Sequence, residues 1–122
     1  MLNIKMAKCD DIATVTLEGV IDAYSCRQFE EVFNQLMELG DYKLIVDLSQ
    51  VNYMTAVGAT ICMAAHNMAK ENKGNLLFVH PQPAVKEIFG LIGLDRMAAI
   101  TDTKDAALRS FCNNIPGRAH QP

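Results

Sequence analysis

The sequence predicts an α/β domain: a mixed β-sheet that opens with an N-terminal hairpin, continues as β-α units and is flanked by about four helices. Three observations carry this. Two short period-two runs come first, then 3.6-period segments alternate with short apolar runs, and Gly or Pro marks the joins. The order reads β-β-α-β-α-β-α-(β)-α, so right-handed crossovers place helices on the faces of a mainly parallel sheet with one antiparallel part.

Leu2, Ile4 and Met6 alternate with Asn3 and Lys5, and Ala13, Val15 and Leu17 alternate with Thr14, Thr16 and Glu18. Both runs read as half-buried strands joined tightly at Cys9, Asp10 and Asp11. The period then changes. Ser25 and Gln28 have capping-box spacing, Phe29, Val32, Phe33 and Leu36 fall on one helical face, and Gly40 is the natural stop. The run Tyr42 to Leu48 is almost wholly apolar and predicts a central strand covered on both sides. A second helix is expected from about Ala56 to Glu71, burying Val57, Ile61, Ala64, Ala65 and Met68 and ending at Gly74. Asn75 to His80 reads as another buried strand, and Pro83 opens a short helix with Val85, Ile88, Phe89 and Ile92 inward. Met97 to Ile100 suits a short edge strand, and Asp102 or Thr103 suits the cap of a last helix through Ala106, Leu108 and Phe111. One domain over residues 1–112 is expected, with 113–122 as a flexible tail.

Composition narrows function by exclusion. Eleven basic and 14 acidic residues give a net charge of −3 with no basic block, so no nucleic-acid partner is expected. The N-terminus lacks a signal-peptide core, and the weakly polar stretch Ala56 to Ala65 is too short to span a bilayer. A cytoplasmic protein without direct membrane insertion is the expectation. Cys9, Cys26, Cys62 and Cys112 form no C-x-x-C pair and read as reduced thiols, foremost as small buried hydrophobes. His66, His80 and His120 share no spacing with a carboxylate or thiol and read as surface or satisfied structural residues. Dinucleotide, P-loop and nucleophile-elbow motifs are missing, so neither cofactor nor metal is expected, and no enzymatic activity. Asp22 and Asp47 read as turn or cap residues. Their functional alternative is that both face the sheet end that carries Thr55, where parallel sheets present ligands and partners.

The stretches "VTLEGVIDAYSCRQFEEVF", "LIVDLSQVNYMTAVGAT" and "GNLLFVHPQPAVKEIFGLIGLDRMAAITDTKDAAL" resemble, in this order and spacing, the STAS domain of anti-sigma factor antagonists and sulfate-transporter tails, over roughly Thr14 to Leu108. The resemblance implies a STAS-type mixed sheet and non-catalytic protein binding. In the antagonist branch, the unphosphorylated domain binds an anti-sigma factor that is a serine kinase. That kinase phosphorylates a Ser at the start of the second helix, where a D-S-S-G-like sequence is usual. The present chain reads Thr55-Ala56-Val57-Gly58. Val57 holds the acceptor position without a hydroxyl, and Thr55 holds the Asp position. Thr55 is either a retained helix cap or a displaced phosphosite. Asp22 and Gly58 match the family, and Ser25 takes its helix-start position. The resemblance thus implies a partner-binding set of Asp22, Ser25, Thr55, Ala56, Val57 and Gly58.

The first functional expectation is an antagonist-like binder in partner-switching control of transcription, without the usual phosphorylatable Ser, whose partner is an anti-sigma factor, serine-kinase-like protein or other signalling protein. The alternative is a cytoplasmic accessory subunit of an ABC-type lipid transport system. A nucleotide or small-molecule sensor ranks below both for want of a Gly-rich cradle or a placed Lys, and an enzyme last. Exposed strand edges leave a homodimer open.

Overall fold

A computed structural model describes residues 2–113. Five strands form one sheet in the order β1-β2-β3-β4-β5. Strands β1 (Leu2–Cys9) and β2 (Ile12–Ile21) make the expected hairpin, antiparallel from Leu2↔Gly19 to Cys9↔Ile12. Asp10 takes φ 56° in the two-residue connection, a conformation that a short Asp side chain tolerates. Strands β3 (Lys43–Met54), β4 (Asn75–Val79) and β5 (Ile100–Thr101) then add in parallel. Among the described residues five helices surround them: α1 (Cys26–Glu38), α2 (Ala56–Glu71), α3 (Pro83–Ile92), the single turn α4 (Leu94–Met97) and α5 (Lys104–Asn113).

The sheet separates two apolar layers. Val15 and Leu17 of β2, Val46 and Leu48 of β3 and Phe78 of β4 pack with α1, α2, α3 and Leu94 of α4. Ile12, Ile45, Leu77 and Val79 point the other way, onto Ala107 and Phe111 of α5. β3 is therefore apolar in consecutive positions because both its faces are covered. Edge-to-face pairs Phe29–Phe33 and Phe78–Phe89, with centroids 4.9 Å and 5.0 Å apart, fill the larger layer.

Helix α1 stops as expected. Gly40 takes φ 85°, its N–H donates to Met37 O, and Asp41 N–H donates to Leu36 O, the paired bonds of a Schellman ending. The end of α2 is different: Lys73, at φ 65°, takes the left-handed position, one residue before Gly74. Gly74 serves close packing instead, since a Cβ there would lie 1.9 Å from Tyr42 O.

Several expectations need correction. β3 runs on past Leu48 to Met54, so Asp47 lies mid-strand rather than at a strand end. It points to the α5 side, where its carboxylate accepts from Ser49 N–H at 2.9 Å and meets Lys104 Nζ at 3.4 Å. The short strand near the C-terminus is Ile100–Thr101, because Leu94 to Met97 close a helical turn after Gly93 at φ 79°. The buried stripe of α2 is Gly58, Ala59, Cys62, Ala65, His66 and Ala69, while Val57 is 61% and Met68 47% exposed. Small side chains at most of these positions let α2 lie close on the sheet, and Val57 and Met68 turn outward. Cys26 and Cys62 are buried as expected, but Cys9 is exposed. His66 is neither superficial nor satisfied: it is buried, and its Nδ1 has no hydrogen-bond partner. Except for Asn113, which ends α5, the expected tail lies outside the described residues.

Candidate functional site

Parallel pairing of Val20 with Tyr53 and Ile21 with Met54 makes β2 and β3 end side by side. The two chains then leave the sheet into α1 and α2, so both loops share one end of the molecule. A direct bond joins them, Thr55 N–H to Ile21 O at 2.9 Å. This end is where open α/β sheets usually present ligands and partners.

The first loop is tied by Asp22 and Ser25. The Asp22 carboxylate accepts from Tyr24 N–H at 3.0 Å and Ser25 N–H at 3.1 Å. These bonds hold its pKa below the ordinary carboxylate value, with the Ser25 N–H as the largest cause and the Tyr24 N–H and Ser25 hydroxyl assisting against the opposing effect of desolvation. Buried Ser25 Oγ accepts from Asp22 N–H at 2.9 Å and donates to Val20 O at 2.9 Å, with Asp22 Oδ1 at 3.2 Å as a second acceptor. The capping box is not formed. Ser25 makes no side-chain bond to the helix, and Gln28 Nε2 reaches Leu2 O at 3.4 Å instead. Strand β2 ends so close to α1 that Val20 O and Asp22 N–H capture the hydroxyl first.

The second loop is capped by Thr55, in extended conformation (φ −76°, ψ 165°), whose Oγ1 accepts from Gly58 N–H at 3.2 Å. Thr55 Oγ1 also lies 3.8 Å from Cys26 Sγ, which links the cap to the first residue of α1. Gly58 faces inward: a Cβ would come within 2.7 Å of Ile21 Cγ2 and 3.0 Å of Met54 Cγ. Ala56 and Val57 face solvent at the first turn of α2. Thr60, one turn on, is exposed and donates its hydroxyl to Ala56 O at 2.9 Å.

The structure therefore gathers Asp22, Ser25, Thr55, Ala56, Val57 and Gly58 at one end, with unequal parts. Asp22, Ser25, Thr55 and Gly58 hold the two loops, and Ala56 and Val57 form surface. Asp47 is not part of this set. Two aromatic residues belong to the same end: Tyr24, 93% exposed in the first loop, and Tyr53, 49% exposed just before the second. Sequence reasoning passed over both. The available signal was an aromatic inside an otherwise small and polar loop, in "DAYS" and "VNYMT".

The arrangement supplies a partly aromatic surface around Ala56 and Val57 on hydrogen-bonded loops, with the Asp22 carboxylate and the Arg27 guanidinium at its margin. Chemistry is sparse: among the described residues no group of three or more His, Cys, Asp or Glu could hold a metal ion. Among the same residues no helix is long and apolar enough to cross a membrane.

Comparison with known proteins bears on the family and the fold. The family described as "Mlab, STAS domain" matches residues 5–102. BtrV of Bordetella bronchiseptica, named as a candidate anti-sigma factor antagonist, is 21% identical over 115 residues, covering 94% of this chain and 99% of its own. The anti-sigma-B factor antagonist of Staphylococcus epidermidis is 25% identical over 101 residues, covering 83% and 94% respectively. Among solved structures, an anti-sigma factor antagonist from Mycobacterium paratuberculosis superposes with a TM-score of 0.82 at 24% identity, over 90% of this chain and 93% of its own.

Proposed function

The chain belongs to the STAS domain family, and on that premise we propose that it is a non-catalytic binding protein of the anti-sigma factor antagonist type. It docks through the loop end formed by Asp22 to Ser25 and Thr55 to Gly58. Its partner is an anti-sigma factor, serine-kinase-like protein or related signalling protein, met in the cytoplasm. The observation that carries this reading is Val57: it stands 61% exposed on the first turn of α2, beside a cap that is fully formed. The surface a partner would meet is intact, while the position that would take phosphate has only an isopropyl group.

The physics of such a site explains the expected behaviour. A phosphoryl group adds about −1.5 to −2 charge near neutral pH, enough to block docking by repulsion or desolvation. With Val at that position the charge cannot be added there, so binding is constitutive with respect to the usual switch. Thr55 is a poor substitute acceptor, because its Oγ1 is engaged by Gly58 N–H and half-buried beside Cys26.

The names of the relatives favour this reading over a cytoplasmic accessory subunit of an ABC-type lipid transport system. Affinity capture from the native cell extract, with wild type and Val57→Asp side by side, tests it. Recovery of a kinase-like anti-sigma factor by wild type, at least tenfold reduced by Val57→Asp, is the expected result. Recovery of a transport ATPase instead selects the other function. Equal recovery by both proteins places the interface away from this loop.

A further inference from the structure

The loop end continues into a second surface. A groove runs the length of the α1–α2 pair, from Ala23 and Val57 at the loops to Met37 and Met68 at the far end. Half-buried Ile61 and exposed Met68 form its apolar floor, over the edges of the buried Phe33 and Met37. Its two rims differ in charge. The α1 rim carries Glu30, Glu31 and Glu38, all exposed, with Arg27 as the cation at the loop end. The α2 rim has no charged residue from Ala56 to Ala69. Among the described residues none of the three glutamates is in an ion pair, since the salt bridges involve Asp11, Asp41 and Asp47.

We propose that this groove takes a basic amphipathic helix of the partner, laid between α1 and α2. Glu31 and Glu38 are seven residues apart, which sets them about 10 Å apart along the helix axis and nearly on one stripe. An occupant with Lys or Arg at seven-residue spacing reaches both, while its apolar i, i+3, i+4 face covers the floor. The exposed thioether of Met68, half in solvent at 47%, is the adaptable contact that such grooves favour. Unpaired carboxylates on one rim and a neutral opposite rim select for basic over acidic helices. The proposal rests on the protein-binding reading and adds a surface outside the Thr55–Gly58 loop.

The test uses the full chain and a synthetic 18-residue peptide with a leucine face and Lys at seven-residue spacing, with a Glu-for-Lys peptide as control. Fluorescence anisotropy gives the affinity, and backbone amide shifts give the location. The Lys peptide is expected to bind at least tenfold tighter than the Glu peptide, to shift amides of α1 and α2, and to weaken at least tenfold on Glu31→Lys/Glu38→Lys. These exposed rim changes leave the thermal midpoint unchanged. Equal binding of both peptides, undiminished binding to the double variant, or shifts outside α1 and α2 would overturn the proposal. So would self-association through this face that Met68→Asp abolishes, which would make a second copy the occupant. Loss of the groove with retained partner capture leaves the Val57 loop standing, and so separates the two failures.

Discussion

Ser25→Ala tests how the two loops are held. The hydroxyl is buried, accepts from Asp22 N–H at 2.9 Å and donates to Val20 O at 2.9 Å. Its removal leaves a donor and an acceptor without their partner at the point where β2 turns into α1. An unsatisfied buried polar group costs about 1–3 kcal/mol. Water reaches the Asp22 side of this turn, so the two losses together come to about 2 kcal/mol rather than twice the upper figure. At this chain length that is a fall of about 8 °C in thermal midpoint. Gln28→Ala is the internal control. A capping box would make it costly, whereas its single long bond to Leu2 O makes it worth less than about 0.5 kcal/mol. Urea denaturation of both variants decides the matter. Near-equal losses, or a Ser25→Ala loss below 0.5 kcal/mol, would refute the claim that Ser25 works as a strand-to-helix clasp.

Three other outcomes follow from the same geometry. Gly58→Ala places a methyl 2.7 Å from Ile21 Cγ2, on a buried branched side chain with little freedom, and should cost about 1–2 kcal/mol by denaturant unfolding despite alanine's better helix propensity. Thr55→Ala should cost about 1 kcal/mol and Thr55→Ser much less, because the Oγ1 to Gly58 N–H bond is the cap, and equal losses would deny it that role. His66 has its pKa lowered, chiefly by burial and further by Lys70, against a weaker opposing hydrogen bond that the imidazole donates to Asn67. The unfolded chain therefore binds the proton more readily, so this contribution is complete above about pH 6.5 and is lost as pH falls below it. His66→Leu, which also removes the unpartnered Nδ1, should flatten the stability profile between pH 7 and 5, as followed by thermal melts.

What the sequence made legible was set by how local the cause was. The hairpin, the Gly40 stop and the doubly covered β3 came from patterns that act within a few residues, and tertiary structure left them alone. The α2 stripe was misread because periodicity weights residues by hydrophobicity, and the helix is apolar on several sides between Ala56 and Ala69. Which side turns inward was settled by volume: Gly58 and Ala59 allow the helix to sit against Ile21 and Met54, and Val57 does not. Ser25 was misassigned for a related reason. A capping box is a contact between neighbours in sequence, but Val20 O is brought to the hydroxyl by the end of β2, which no spacing rule sees. Asp47 was placed at a strand end because the apolar run stops at Leu48, yet pairing with β2 continues to Met54. The candidate site itself was legible as a set because strand ends and helix starts converge in any such sheet. Its division into clasp and surface was not.

That division bears on how regulation could work. Asp22, Ser25, Thr55 and Gly58 each have their polar groups or their space committed within the fold, so changes there act on stability as well as on the proposed docking surface. The side chains of Ala56, Val57, Tyr24 and Tyr53 have no such commitments among the described residues and are free to be judged by a partner alone. If docking uses the loop end as proposed, a charge introduced at Val57 alters it without loosening the loops. This is the property a modifiable residue requires at this position, and the fold provides it although the residue present cannot be modified. Control of a binder built this way falls to the partner's availability or to a surface beyond the loop, and the acidic α1 rim is the candidate for the latter.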